Sequence, residues 1–143
     1  MSPISMKFMD IPLSNHFGLK AANADSGYVL YLDETPELLN HLGQLHAAVL
    51  FGIVETSSAH YLQSIFGEIE AGLIPVIRHV DIKFSKPGHG RIYSKVVLLG
   101  EATSIIATYK TSGRVSLETE VKLVNEVGEV LVIAKVQWFF KRV

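Results

Sequence analysis

The sequence predicts an α+β domain in which one long helix is wrapped by a curved antiparallel sheet. Two observations carry this. Residues 45–66 are apolar nearly all round, the mark of a buried helix rather than a surface one. After them come four segments rich in β-branched and aromatic residues, most of them alternating and separated by turn residues. Such a helix must bury its surface on a sheet, and one sheet cannot enclose it alone.

The elements follow in order. Residues 6–18 predict a short helix, interrupted at Pro12 and ending near Gly18. "GYVLYLD", 27–33, is a first strand, and "ETPELLNHLG" is a loop. In the long helix Leu45, Val49 and Ile53 form a bulky stripe suited to a sheet. Ala48, Gly52 and Ala59 form a small stripe that a backbone or a ligand approaches closely. "VIRHVDIKF", 76–84, turns Val76, Arg78, Val80, Ile82 and Phe84 to one face, and Ile77, His79, Asp81 and Lys83 to the other. "KPGHG" is a turn and residues 91–99 a further strand. "EATSIIATYKTSG" reads as a short helix closed by Gly113. Residues 115–124 alternate, with Val115, Leu117, Val121 and Leu123 inward. "NEVGE" is a hairpin turn with Gly128 placed for positive φ. The last strand, 130–140, is apolar on both faces: Val130, Val132, Ala134, Val136, Trp138 and Phe140 on one, Leu131, Ile133 and Phe139 on the other. That strand and the small stripe predict a second subunit.

Composition narrows the function. The chain has 143 residues, 48% hydrophobic and 19% charged, enough for one domain with a real core, residues 1–26 forming an N-terminal extension. A formal net charge of -1 gives no general attraction to nucleic acid or to an anionic membrane. There is no cysteine, so disulfides, thiolate metal sites and a thiol nucleophile are excluded. The first 17 residues lack the apolar core of a signal peptide, and "AAVLFGIV", the longest apolar run, falls far short of a bilayer span. A cytoplasmic protein is the expectation. His16, His41, His79 and His89 show no metal-ligand spacing. Ser57 and Ser58 lack the Gly-x-Ser-x-Gly frame of a nucleophile elbow.

From Leu42 to Gly67 the only formally charged side chain is Glu55. Burying an unpaired carboxylate costs on the order of several kcal/mol, so it needs a reason. A structural reason would be an ion pair with Arg78. A chemical one would be catalysis, with the apolar setting resisting ionisation of the acid. His46 reads first as a residue that structures the loop-to-helix junction, and Asn40 as one that caps or bends the loop.

The segment from Asn40 to Glu55 resembles the central-helix signature of the hotdog-fold thioesterases, most of all the phenylacetyl-CoA thioesterase-like branch. The signature runs Asn-x-x-Gly-x-x-His-Gly-Gly, with an acid nine positions after the His; Asn40, Gly43, His46 and Glu55 match in register. Pro87, after the strand that follows the helix, and the strand–turn–strand ending extend the likeness over residues 27–142. Four positions depart from it. Gly-Gly is Ala47-Ala48, the acid is Glu rather than the commoner Asp, and a helper hydroxyl of some relatives falls on Ile77.

The resemblance implies a hotdog domain acting as an acyl-CoA thioesterase, as a homodimer or dimer of dimers whose site takes Asn and acid from opposite subunits. Glu55 would be general base or nucleophile. The N–H of Ala47 would hold the oxyanion, and Asn40 would orient water or carbonyl. It needs no cofactor beyond the coenzyme A of its substrate. The phosphates of that group call for basic residues at the rim; Arg78, Lys83, Lys86, Arg91, Lys110 and Arg114 are the candidates. Three other readings share the fold: a noncatalytic acyl-CoA or fatty-acyl binding module, a dehydratase or hydratase pairing His46 with Glu55, and an interaction scaffold.

Overall fold

The computed structural model describes residues 10–67 and 73–142. The start of the first predicted helix, residues 6–9, lies outside them. Helix α1 is Pro12–Phe17, and Pro12 opens it rather than interrupting it, since proline at the first turn loses no intrahelical bond. Gly18, at φ 78°, closes it. Two short strands follow, β1 (Lys20–Ala21) and β2 (Leu30–Asp33). β1 is too short to leave a sequence pattern. The long helix α2 runs Ala47–Phe66. Beyond it lie β3 (Leu73–Phe84), β4 (Arg91–Leu99), helix α3 (Ala102–Ser112), β5 (Arg114–Val124) and β6 (Val130–Arg142). Gly113 caps α3 at φ 77°, and Gly128 makes the β5–β6 turn at φ 83°.

The strands form one antiparallel sheet in the order β1-β2-β4-β5-β6-β3. α2 lies across its inner face. Val49 and Ile53 are buried there, as the bulky stripe predicts, with Leu50, Val54, Leu62 and Phe66 beside them; Leu45, expected to begin the helix, is buried in the segment just before it. The sheet supplies Leu32, Ile92, Val121, Leu123, Val132, Ala134, Val136, Trp138 and Phe140. Trp138 and Phe140 are thus core residues.

Two adjacent serines tie the helix to four strands. Ser57 Oγ donates to Ser94 Oγ on β4 at 2.7 Å, and Ser94 Oγ in turn accepts from the N–H of Leu30 on β2 at 3.0 Å. Ser58 Oγ shares a hydrogen bond with Thr119 Oγ1 on β5 at 2.6 Å and accepts from Trp138 Nε1 on β6 at 2.7 Å. Ser57, Ser58, Ser94 and Thr119 are fully buried. Polar groups taken out of water are tolerated only when bonded, and here each has a partner.

β3 departs from the predicted alternation. Ile77 pairs with Trp138 and His79 with Gln137, so Arg78 is the extra residue of a β-bulge. The bulge inverts the faces upstream of it. Ile77, not Val76, packs on the core, and Arg78 turns outward to stack its guanidinium 4.0 Å from the Phe139 ring centroid. Phe84, predicted inward, sits at the strand's end with 45% of its surface exposed. β3 is an edge strand, consistent with the proline at position 75.

Near the other edge Arg91 makes a two-point contact with Asp33, at 2.7 and 3.1 Å, and lies over the Tyr31 ring. The Arg91 hydrogen bond holds the Asp33 carboxyl below the usual carboxylate range. Arg91 is therefore engaged in joining β2 to β4.

The mid-helix glycine of the small stripe has a specific neighbour within the chain. A Cβ at position 52 would lie 2.6 Å from Phe17 Cε2 and 3.2 Å from its Cδ2. At Gly52 the close approach is made by a side chain, the ring of the last residue of α1, and not by the backbone or ligand expected there.

Two stability measurements follow. Ser58→Ala leaves Trp138 Nε1 and Thr119 Oγ1 buried without their partner and should destabilise the fold by about 1–3 kcal/mol in a urea titration; an unchanged midpoint would mean that the bonds contribute nothing. Gly52→Ala forces the Phe17 ring aside. It should cost about 1–3 kcal/mol although alanine is the better helix former; a gain in stability would contradict the contact.

Candidate active site

The signature residues gather at the N-terminus of α2. The chain enters through a tight hairpin in which Asn40 N–H donates to Gln44 O at 2.7 Å, and Leu39 and Leu45 form an isolated β-bridge. Gly43 sits at φ 73°, where an L side chain would be strained. Asn40 Oδ1 accepts from the N–H groups of Leu42, at 2.8 Å, and Gln44, at 3.1 Å. Its carbonyl oxygen therefore shapes the loop, as the capping reading predicts, and two backbone donors on that oxygen leave the amide NH₂ as the end that can face a ligand.

His46 is the N-cap of α2. Its Nδ1 accepts from Ala48 N–H at 2.9 Å, and its own N–H donates to Leu38 O at 2.9 Å. Accepting at Nδ1 occupies that nitrogen's lone pair, so the imidazole is a junction element and cannot use Nδ1 as a base. Ala47 is the first helical residue. Its N–H belongs to the group of helix-start donors that have no intrahelical acceptor.

A cleft of about 320 Å³ opens at this point. Asn40, Gln44 and Ala47 line one side; Phe84, Ser85, Lys86, Pro87 and Gly88 line the other. Leu45 N–H donates to Gly88 O at 3.0 Å and fastens the two sides together. Of the predicted rim cations only Lys86 lines the cleft. Its Nζ lies 2.7 Å from Glu129 Oε2, and the hydrogen bond from Lys86, with one from Asn125, lowers the Glu129 pKa. Lys83, Lys110 and Arg114 are exposed on β3, α3 and β5, and Arg78 stacks on Phe139.

Glu55 stands apart from this cleft and differs from expectation. Within one chain it is exposed, and among the described residues it makes no hydrogen bond or ion pair. The pair with Arg78 is not formed, because the bulge carries Arg78 to the outer face of the sheet. Glu55 is eight helical steps on from Ala47, about 12 Å along the axis. One chain therefore brings Asn40, Ala47 and Lys86 together and leaves the carboxylate on the same helix two turns away.

Phe84, Ser85 and Gly88 were not predicted as cleft residues. The signal available was Pro87 and the turn around it; what the sequence hides is that this turn closes on the start of α2. Among the described residues no group of three His, Asp or Glu could hold a metal ion, and no helix is long and apolar enough to cross a membrane.

The junction gives a test. His46→Ala removes the side-chain acceptor from Ala48 N–H and should cost about 0.5–1.5 kcal/mol in denaturant stability. His46→Asn, a preferred cap residue, should recover most of it. Equal loss in both variants would show that the imidazole acts by packing and not as a cap.

No protein-family model matches the chain, and no curated protein matches it. Solved structures do. A protein of unknown function from Pseudomonas aeruginosa, described as a probable thioesterase, superposes with a TM-score of 0.76 at 23% identity, covering 95% of this chain and 91% of that one. A Bacillus halodurans protein crystallised with CoA gives 0.68 at 16% identity, covering 90% and 74%. The E. coli PaaI protein of the phenylacetic acid degradation operon gives 0.66 at 17% identity, covering 95% and 87%. The central helix, the six-stranded sheet and these superpositions agree: the chain has the hotdog fold.

Proposed function

We propose that the protein is an acyl-CoA thioester hydrolase whose site is completed by two copies of the chain. The observation that carries this reading is the cleft at the start of α2, whose lining includes Ala47, Asn40 and Lys86. These groups match the parts of a coenzyme A thioester. The helix-start N–H is placed for an oxygen that gains negative charge. The Asn40 NH₂ can donate to the same carbonyl or to water. Lys86 offers a cation to a phosphate, in competition with Glu129. A neighbour of the same fold was crystallised with CoA, which supports a ligand of this kind.

The missing part is a base, and Glu55 is the candidate. It is exposed and uncommitted in one chain, so a partner helix laid alongside α2 in a homodimer or dimer of dimers can bring the second copy's acid to the first copy's cleft. Glu55 then takes a proton from water while the oxygen adds to the thioester carbon. The oxyanion is held by Ala47 N–H until the C–S bond breaks, and the proton returns to the departing thiolate. In the variant step the carboxylate adds to the thioester carbon, the C–S bond breaks and the thiolate leaves to take up a proton, and water then opens the resulting anhydride. The dehydratase reading loses support, because His46 Nδ1 is occupied as a helix cap.

Release of free thiol from a panel of acyl-CoAs tests the assignment. Glu55→Gln should keep the fold and lower kcat by about 10²-fold or more. Turnover at the wild-type rate would make the carboxylate a bystander. Absence of thiol release from the wild type, with retained binding of acyl-CoA, would favour the noncatalytic module.

A further inference from the structure

Phe17 ends α1 and lays a half-buried ring on α2 at Gly52, in contact so close that a single added carbon at position 52 would collide with it. Gly52 and Glu55 are i, i+3 neighbours on one helix face, one turn apart. The ring is therefore a wall beside the carboxylate. The chain that carries it is anchored. Ser14 and Leu19 on either side of it are buried, Leu19 N–H donates to Ser14 O at 3.1 Å, and the ring itself packs against the core.

We propose that Phe17 is a specificity-determining residue that sets the upper limit on acyl length. The proposal rests on the reading of Glu55 as the reacting acid. A carbonyl within about 3 Å of that carboxylate brings its first acyl carbons against whatever covers the neighbouring turn, and that is the Phe17 ring. Glycine inside a helix costs roughly 1 kcal/mol relative to alanine. Its presence at position 52 lets the ring sit one side chain's depth closer to the helix axis than any other residue would allow. A chain extending along α2 from Glu55 towards position 52 meets aromatic carbon instead of open groove. Short acyl groups fit; long ones must displace the ring.

The test is kcat/KM for straight-chain acyl-CoAs from acetyl to palmitoyl, measured as free thiol, for the wild type, Phe17→Ala and Phe17→Trp. The wild type should prefer the short end. Phe17→Ala should raise the ratio of long-chain to short-chain kcat/KM by about 10-fold or more, the scale at which pocket contacts discriminate chain length. Phe17→Trp should move the ratio the opposite way, and it decides the matter alone where the alanine variant does not fold. An active wild type that prefers long chains, or ratios unchanged in both variants, would overturn the role of Phe17 and leave Glu55 untouched. A wild type that hydrolyses none of the panel would overturn the Glu55 reading and this limit with it.

Discussion

The rotation of α2 about its own axis governs everything else in this molecule, and two hydroxyls fix it. Ser57 and Ser58 are buried side by side, bonded to Ser94 on β4 and to Thr119 and Trp138 on β5 and β6. Apolar side chains around a helix this hydrophobic would accept several rotations with similar burial. Hydrogen bonds are directional, and a turn of the helix would leave these groups buried and unbonded. With the serine face held on the sheet, Leu50, Ile53 and Val54 enter the core and Glu55 is left outward. The same rotation presents Gly52 to Phe17. The serines thus place a carboxylate and its aromatic neighbour without touching either.

Much of the architecture was legible in the sequence because it rests on local periodicity. The alternation of β5 and β6, the turn at Gly128 and the cap at Gly113 all describe short-range geometry, and they appear as expected. The roles of Asn40 in the loop and of His46 at the loop-to-helix junction were legible too, although the segment itself read only as a loop and not as the hairpin it forms. Features set by long-range pairing were hidden. The bulge at Arg78 carries no glycine to announce it, and it reverses the faces of Val76 and Ile77. The two-residue β1 shows no period. Gly52 gave a sign of close approach, but the sequence did not say that Phe17, far upstream, supplies it.

Glu55 marks the boundary between what one chain determines and what an assembly must. An apolar helix looks the same in sequence whether its last face is covered by its own sheet or by another molecule, so the expected burial of Glu55 was not met within the chain. The open edge of β3 and the exposed face of α2 are where a second copy would sit on the proposed reading. Geometry along the helix gives the reason for needing one: a donor at Ala47 and an acid at Glu55, about 12 Å apart on one rod, cannot meet on a single carbonyl. An antiparallel pair of such helices would bring each acid towards the other's donors and create two equivalent sites.

The most direct measurement is complementation between two singly defective chains. Asn40→Asp keeps an oxygen for the Leu42 and Gln44 N–H groups and removes the amide donor; Glu55→Gln removes the base. Each variant alone should be nearly inactive. Co-refolded in equal amounts, they form hybrids that carry one site with both groups intact, and statistical pairing should restore about a quarter of the wild-type thiol release for a twofold-symmetric pair. A mixture that stays as inactive as its components would contradict the two-chain site.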